Sequence, residues 1–229
     1  MKPSTSDERR KRRFKDSVYA AVARVPAALA NPHRLELLDL LSQRARTVQD
    51  AASETGLTIA NASQHLRVLE RAGLVQVERR GTFAFYHAAG APVYRLLTEL
   101  RTVAESVDES VARAEASYFG AARDPGIVTL AAALDVMTHR RTAVLDVRPR
   151  EEFESAHLPG AISAPLERLR NSEISLSGSK RYIVYCRGAY CVFADEAVAL
   201  LRGRGLHATR LALGPSEWVA AGGDVERAG

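Results

Sequence analysis

Apolar residues recur at spacings of three and four through the first 120 residues, which is the spacing of one buried helix face. Asn31, Thr47 and Thr58 precede such segments and are typical N-caps, and Gly56 is a typical helix end. Thr47 also begins a capping-box pattern, with Asp in place of the usual Glu. The pattern therefore predicts four helices, over residues 17–29 with an interruption at Pro26, 31–41, 47–55 and 59–71.

The fourth predicted helix is apolar on one side only. Ala62, Leu66 and Leu69 share that side, whereas the other sides carry hydroxyl, amide and guanidinium groups. Two alternating segments follow, over 75–78 and 83–87, and indicate a hairpin with a basic tip. A short helix, a glycine turn, a helix with a polar outer face and a hairpin form a winged helix-turn-helix, whose polar face suits DNA base edges and phosphates. A helix-turn-helix shape that serves only protein contact is the alternative.

A longer apolar stripe runs through residues 92–118 and predicts one long helix. One small domain rarely needs to bury so long a stripe, so we expect part of it to pack against a second copy of the chain. Packing within one chain is the alternative. The segment 120–126, which contains Asp124 and Pro125, then predicts a linker. The stripe consists of Leu96, Leu97, Leu100, Val103, Val107 and Val111.

Beyond the linker, short apolar segments alternate with helical ones, which is typical of an α/β domain. Both cysteines, Cys186 and Cys191, fall between a predicted strand and the next helix. Cys186 therefore lies at the carboxyl end of a parallel strand, where the N–H groups of the following helix favour a thiolate, so we expect a lowered pKa. Arg187 adds a second positive charge. The predicted strands are 143–147, 182–185 and 206–211, and the predicted helices are 131–138, 151–155 and 192–202.

The first half resembles the ArsR family of bacterial repressors over about residues 17–119. The resemblance rests on Asn-Pro-His-Arg at 31–34, Ser-Gln-His-Leu-Arg at 63–67, Ala-Gly-Leu-Val at 72–75 and the hairpin. It implies a homodimer that binds a double-stranded DNA operator. Many members sense a metal through cysteines, or through Asp and His on the last helix, but this chain has no Cys before Cys186 and no His in that helix, so we expect no metal site. The DNA-contacting residues, from the matching helix and the hairpin tip, are Ser63, Gln64, His65, Arg67, Arg79 and Arg80.

The second half resembles the rhodanese (sulfurtransferase) family over about residues 126–229. Four motifs occur in the family's order: Leu-Asp-Val-Arg at 145–148, Glu-Glu-Phe at 151–153, His-Leu-Pro-Gly-Ala at 157–161, and a strand that ends in Cys186. The resemblance implies that Cys186 carries a persulfide and that the backbone amides of the following loop surround its sulfur.

Two features of this half separate it from related proteins. Phosphatases of a related fold need an Arg six positions after the Cys, but that position is Val192, so phosphate chemistry is disfavoured. Residues 213–218 also depart from the family's usual Gly-Gly-aromatic turn, which puts substrate access in doubt. The resemblance assigns Asp146 and Arg148 to bracing loops by charge-assisted hydrogen bonds. The residues that it implies for catalysis are Cys186, Arg187, Gly188, Ala189, Tyr190 and Cys191.

Each cysteine also has a purely structural interpretation. A cysteine after an apolar strand is often a small packed residue, and the order of the four motifs is what favours a reactive Cys186. Cys191 is either a small residue at a helix start or a resolving thiol that attacks a persulfide or sulfenate on Cys186.

Charge and composition narrow the classes of function. The chain has 32 Lys and Arg against 27 Asp and Glu, and its first fifteen residues hold seven of the basic ones against Asp7 and Glu8. Residues 1–16 are therefore predicted to be a disordered tail or an arm that contacts DNA phosphates. Two cysteines five positions apart, with no signal peptide and no apolar run of about 20 residues, indicate a cytoplasmic protein without membrane contact. We expect no cofactor.

The sequence thus predicts two domains, a mostly α winged helix-turn-helix over 17–119 and an α/β rhodanese-like domain with a central, mainly parallel sheet over 127–229. The favoured hypothesis is a dimeric transcriptional regulator, a repressor by family expectation, whose DNA affinity depends on reactive sulfur or redox state at Cys186. Its small-molecule partner would be a sulfur donor or a thiol acceptor. A sulfurtransferase that uses the winged helix for dimerisation or localisation is the second hypothesis, and a rhodanese-like domain that only binds a partner is the third.

Overall fold

The computed structural model describes residues 5–120 and 125–228. The chain forms two compact units, of which the first comprises Met1–Leu41 and Ala45–Ala89 and the second comprises Ser42–Arg44 and Gly90–Gly229. Of the predicted linker at 120–126, residues 121–124 lie outside the described part. None of the described helices has a stretch both long and apolar enough to cross a membrane.

The first unit is a set of helices followed by a hairpin, as the sequence predicted. Its core includes Leu37, Leu38, Leu66 and Leu69, which are fully buried. The two strands are antiparallel and pair Val75 with Ala88 at one end. The elements are α1 (Thr5–Val22), α2 (Arg24–Leu29), α3 (Pro32–Leu41), α4 (Val48–Thr55), α5 (Ile59–Arg71), β1 (Val75–Arg80) and β2 (Phe83–Ala88).

Helix caps in this unit follow the sequence closely. The Thr47 hydroxyl accepts from the Asp50 N–H at 3.1 Å, and the Asp50 carboxylate accepts from the Thr47 N–H at 3.3 Å, which confirms the capping box. Thr58 caps α5 by accepting from the Asn61 N–H. Gly56 ends α4 in the left-handed region, at φ 66°, where a side chain would be strained.

The amino-terminal segment, expected as a disordered or DNA-contacting tail, is helical rather than disordered. Residues 5–16 belong to α1, residues 6–16 are exposed, and residues 1–4 lie outside the described part. The contact with DNA phosphates stays a prediction. Ion pairs one turn apart, Asp7 with Lys11 at 3.0 Å and Arg12 with Asp16 at 2.6 Å, stabilise this helix. The predicted helix 17–29 is divided after Val22.

The second unit contains a four-stranded parallel sheet between helices. Its strand order is β4-β3-β5-β6. One face packs on α10 and α11, and the other packs on α8 and α12, where Trp218 is buried. The elements are α6 (Ala91–Val107), α7 (Glu109–Phe119), α8 (Leu130–Met137), β3 (Thr142–Asp146), α9 (Arg150–Ser155), β4 (Ile162–Ser163), α10 (Leu166–Arg170), β5 (Arg181–Tyr185), α11 (Phe193–Gly203), β6 (His207–Arg210) and α12 (Pro215–Ala220).

The predicted long helix over 92–118 is two helices, so that prediction was wrong in one respect. Asp108 adopts an extended conformation between α6 and α7, and its carboxylate caps α7 by accepting from the Ser110 N–H at 2.8 Å. Helix α6 packs on α12. Within one chain, Val103 and Val107 of the predicted stripe are 55% and 77% exposed, so this part of the stripe is not used for packing inside the protomer.

Candidate functional site

The outer face of α5 presents polar side chains to solvent. Gln64 and Arg67 are exposed, and neither forms an ion pair or side-chain hydrogen bond with a residue in the described ranges. Ser63 is half-buried. At the hairpin, Arg79 is exposed and has no ion pair to a described residue. Three of the six predicted DNA-contacting residues therefore carry exposed groups without a competing partner.

The last two predicted DNA-contacting residues, His65 and Arg80, have partners in the protein. The His65 ring lies 5.8 Å from the His33 ring, and burial together with Arg34 lowers the pKa of His65, which favours its neutral form. Arg80 donates to Glu78 at 2.8 Å, and its guanidinium lies over the Phe85 ring. Both are less available to DNA than Gln64 and Arg67.

The loop of residues 186–191, called the cysteine loop below, leaves the carboxyl end of β5 as predicted. Cys186 is 1% exposed, and its Sγ lies 3.5 Å from the carbonyl oxygen of Cys191. Backbone N–H groups of Gly188 and Ala194 point at the Cys186 sulfur, and those of Arg187 and Phe193 point at the Cys191 sulfur. The loop therefore surrounds two sulfur atoms with amides.

The two thiols differ in acidity, and the difference is the reverse of the expectation for Cys186. Burial raises the pKa of Cys186 well above its ordinary value. A side-chain hydrogen bond between the Cys186 thiol and the Cys191 sulfur lowers the pKa of Cys191 to about 7, and the backbone N–H of Arg187 acts in the same direction. These directions favour a thiolate on Cys191 over one on Cys186, and Cys191 is also the less buried of the two.

A carboxylate compensates the positive charge of Arg187. Its guanidinium donates to both oxygens of Glu152, at 3.1 and 2.5 Å, and Glu152 is fully buried. The remaining field of Arg187 lowers the pKa of Cys191 rather than that of Cys186. Glu152 belongs to the predicted Glu-Glu-Phe motif, but the motif gave no indication of this pairing.

Asp146 and Arg148 form a fully buried ion pair at the base of the loop. Arg148 donates to Asp146 at 2.6 Å and to the carbonyl oxygen of Ala156 at 2.6 Å. The Tyr185 hydroxyl donates to the same Asp146 carboxylate at 2.6 Å. The pair therefore ties β3 to the end of β5 and to the segment after α9.

Gln43, which sequence analysis did not select, lies within this network. Its side chain is buried, and its Nε2 donates to the carbonyl oxygen of Arg187 at 3.2 Å and contacts the Ser216 hydroxyl at 3.4 Å. Its Oε1 accepts from Arg148 at 3.2 Å. Gln43 thus links the Arg148 ion pair to the backbone of the cysteine loop.

Helix α6 supplies two further contacts to the same region. The Tyr190 hydroxyl donates to Glu105 at 2.7 Å, and Arg101 donates to Glu217 at 2.5 Å. The Glu217 carboxylate also accepts from the Gly214 N–H at 3.2 Å, and a Cβ placed on Gly188, at φ 135°, would overlap it. No local sequence signal marks these partners, because Glu105 and Tyr190 lie 85 positions apart.

The described residues contain no group of three His, Cys, Asp or Glu side chains placed to hold a metal ion. The cysteine loop itself offers two thiols and the backbone amides around them. A thiolate of pKa near 7 beside a second thiol is suited to accept sulfur or to form a disulfide.

Comparisons with known proteins identify both halves of the chain. A family model described as a helix-turn-helix domain matches residues 29–78, and one described as a rhodanese-like domain matches residues 129–221. The HTH-type transcriptional regulator Rv0324 of Mycobacterium tuberculosis is 40% identical over 212 residues, which cover 93% of this chain and 93% of that protein. The chain belongs to the ArsR-type helix-turn-helix transcriptional regulators with a rhodanese-like domain.

Other relatives match a smaller part of the regulator. The HTH-type transcriptional regulator CmtR of Mycobacterium bovis is 36% identical over 89 residues, 39% of this chain and 75% of that protein. A solved fragment of Mb0332 from M. bovis, described as a homodimeric winged helix-turn-helix DNA-binding domain, is 42% identical and covers 42% of this chain and 89% of that one, with a TM-score of 0.40.

Replacing Cys186 by Ala should make Cys191 of the regulator less acidic. The substitution removes the hydrogen bond that lowers the Cys191 pKa to about 7, so the pKa should rise toward the value of about 8.5 of a free cysteine. Because the thiolate is the reactive form, alkylation of Cys191 by iodoacetamide at pH 7 should slow by about tenfold. The measurement is the alkylation rate between pH 5 and 9, followed by mass spectrometry of the peptide.

The matched control is Cys191→Ala, in which the buried Cys186 should react slowly across the neutral range. Equal midpoints for Cys191 in the wild-type protein and in Cys186→Ala would contradict the assignment of the thiolate.

Proposed function

We propose that the regulator binds its operator as a homodimer and that its affinity for the operator changes when the cysteine loop takes up sulfur or is oxidised. The observation that carries the proposal is the attachment of this loop to α6, through Tyr190 and Glu105 and through Arg101 and Glu217. The loop that holds the thiols is thereby joined to the helix with the exposed apolar stripe. We place the reaction in the cytoplasm, where protein thiols are kept reduced.

The chemistry that we propose begins at Cys191. Its thiolate attacks a sulfane sulfur of an inorganic polysulfide, so that a Cys191 S–S bond forms and the shortened polysulfide leaves with the electron pair of the broken bond. The Cys186 thiol, deprotonated as it reacts, then attacks the Cys191 sulfur of this persulfide. A Cys186–Cys191 disulfide forms, hydrogen sulfide leaves, two cysteine sulfurs are oxidised and the sulfane sulfur is reduced. This order reverses the roles expected from the family resemblance.

The effect on DNA follows from what the loop touches. A bridge removes the thiol hydrogen bond and fixes the distance between Cys186 and Cys191, so the residues between them must adjust. Tyr190 is one of those residues, and its movement changes the hydrogen bond to Glu105 on α6. A coupling of about 1–3 kcal/mol between loop and operator site corresponds to a 5- to 150-fold change in affinity.

We assign the homodimer interface to the apolar surface of α6 and α7. Leu100, Val103, Val107 and Tyr118 are 38%, 55%, 77% and 67% exposed in one protomer. Apolar side chains exposed in a row along a helix are typical of an interface, and a second copy of the chain is the partner that the ArsR resemblance implies.

The direct test compares operator affinity in the reduced and sulfur-treated protein. A duplex selected from random sequences by the reduced protein is titrated before and after treatment with inorganic tetrasulfide, with mass spectrometry of the peptide that holds both thiols. We expect treatment to weaken binding 5- to 150-fold, and Cys191→Ser to abolish the response. Tyr190→Phe, which loses only the hydroxyl that Glu105 accepts, should load sulfur normally and respond less.

Unchanged affinity in a protein whose bridge is verified by mass would contradict the proposal. The rhodanese-like match favours one other function, a sulfurtransferase. Two results together would establish that alternative. The protein would transfer sulfur steadily from thiosulfate to cyanide and lose this activity in Cys186→Ser, and its operator affinity would not change on sulfur treatment. The burial of Cys186, at 1% exposure, is unfavourable for such turnover.

The recognition face of α5 gives a separate prediction. Gln64→Ala and Arg67→Ala should each weaken operator binding by about 1–3 kcal/mol, roughly 5- to 150-fold, because they remove exposed groups that suit base edges and phosphates. Arg168→Ala removes an exposed arginine from α10, outside the proposed dimer surface, and serves as the matched control. We expect sulfur loading to be the same in all these variants. Operator binding equal to that of the wild type in both the Gln64 and the Arg67 variant would rule out this face as the operator contact.

A further inference from the structure

A cluster of basic residues lies at the edge of the parallel sheet opposite the cysteine loop. The strands β3, β5 and β6 start side by side, with Thr142 paired to Arg181 and Arg181 paired to His207. Because the cysteine loop leaves the carboxyl end of β5, these amino ends form the other edge. The turns that precede β3 and β5 bring further basic residues to the same row.

This edge forms a concavity of about 540 Å³, called the basic hollow below. No carboxylate of the described residues lines it. The arginines and lysine are exposed, and none forms an ion pair with a residue of the described ranges. The charged or titratable residues that line the hollow are His139, Arg140, Arg141, Lys180, Arg181 and His207.

Most of the other described arginines of this unit are neutralised. Arg168 pairs with Glu173 at 3.1 Å, Arg210 pairs with Asp195 at 3.2 Å, and Arg170 pairs with Glu196. Four unpaired cations in one hollow repel one another and attract anions. Within this unit, uncompensated positive charge is therefore concentrated at this edge.

The lining also indicates the kind of anion. Among the described residues no Phe, Tyr or Trp lines the hollow, and its only aromatic rings are the imidazoles of His139 and His207, so cationic groups outnumber the surfaces on which a base could stack. Guanidinium, ammonium and hydroxyl groups, the last from Thr142 and Ser179, are the donors that contact phosphate oxygens in protein–DNA complexes. The hollow is also large for a single phosphate group.

We infer that the basic hollow binds backbone phosphates of duplex DNA, so that the rhodanese-like domain adds a contact independent of base sequence. The regulator already binds one polyanion, and duplex DNA presents phosphates in the closely spaced series that several cations can contact together. This contact does not depend on the sulfur response or on the recognition helix reading a particular operator.

The test is the salt dependence of DNA binding by the full-length protein. Each phosphate contact contributes about 0.9 to the slope of log affinity against log salt concentration. With a random-sequence duplex about three helical turns long, Lys180→Gln/Arg181→Gln should lower that slope by about 1.8. Arg140→Gln/Arg141→Gln is an independent second variant, and we expect it to lower the slope by the same amount.

The matched control is Arg168→Gln/Arg170→Gln, which removes the same charge from exposed, ion-paired positions and should leave the slope unchanged. A wild-type slope in both hollow variants would overturn the inference. Tripolyphosphate is the second probe: if the hollow variants lose tripolyphosphate binding but keep the wild-type DNA slope, the hollow is a site for small phosphates and the DNA contact is refuted.

Discussion

Buried carboxylates hold the cysteine loop in position, and the behaviour of its two thiols depends on them. Glu152 is fully buried and binds Arg187 from one side, while Glu217 lies against Gly188 and binds Arg101 from the other. Removing one partner from a buried ion pair costs about 3–5 kcal/mol, because the remaining charge is left without compensation. The backbone of the loop therefore cannot shift alone, and any change in it must be shared with the elements that carry these carboxylates.

The same burial gives the two cysteines different acidities. Cys186 is enclosed at the end of β5, and this enclosure raises its pKa, whereas Cys191 receives a hydrogen bond from it and has a pKa of about 7. A buried thiol beside a more acidic one is an arrangement for forming a bond between the two sulfurs. It is less suited to exchanging sulfur with bulky substrates, because the outer face of the loop is covered by the residues around Gly214 and Glu217.

Local signals in the sequence were sufficient for the winged helix and for the strand that leads to Cys186. Caps such as Thr47, the apolar face of α5 and the run 182–185 act over a few residues, so they can be recognised without the fold. The break at Asp108 and the short elements β4, α10 and α12 were missed because they contain too few residues for periodicity to distinguish.

The details of the site depend on long-range packing, which sequence patterns do not contain. The helix after Cys186 predicted a lowered pKa, but the burial that reverses this direction comes from the whole second unit. Gln43 and Glu105 reach the loop from positions 144 and 85 residues away from their partners Arg187 and Tyr190. The basic hollow likewise joins residues that become neighbours only through the pairing of β3 with β5.

The central claim is that the cysteine loop and α6 respond as one body. Hydrogen–deuterium exchange of the full-length protein, before and after verified bridging of Cys186 and Cys191, tests this most directly. We predict that the exchange of backbone amides changes in the loop and also in α6 (Ala91–Val107) and α12 (Pro215–Ala220), because Glu105, Arg101 and Glu217 connect them. A change confined to residues 186–193, with α6 and α12 unaltered, would contradict the account.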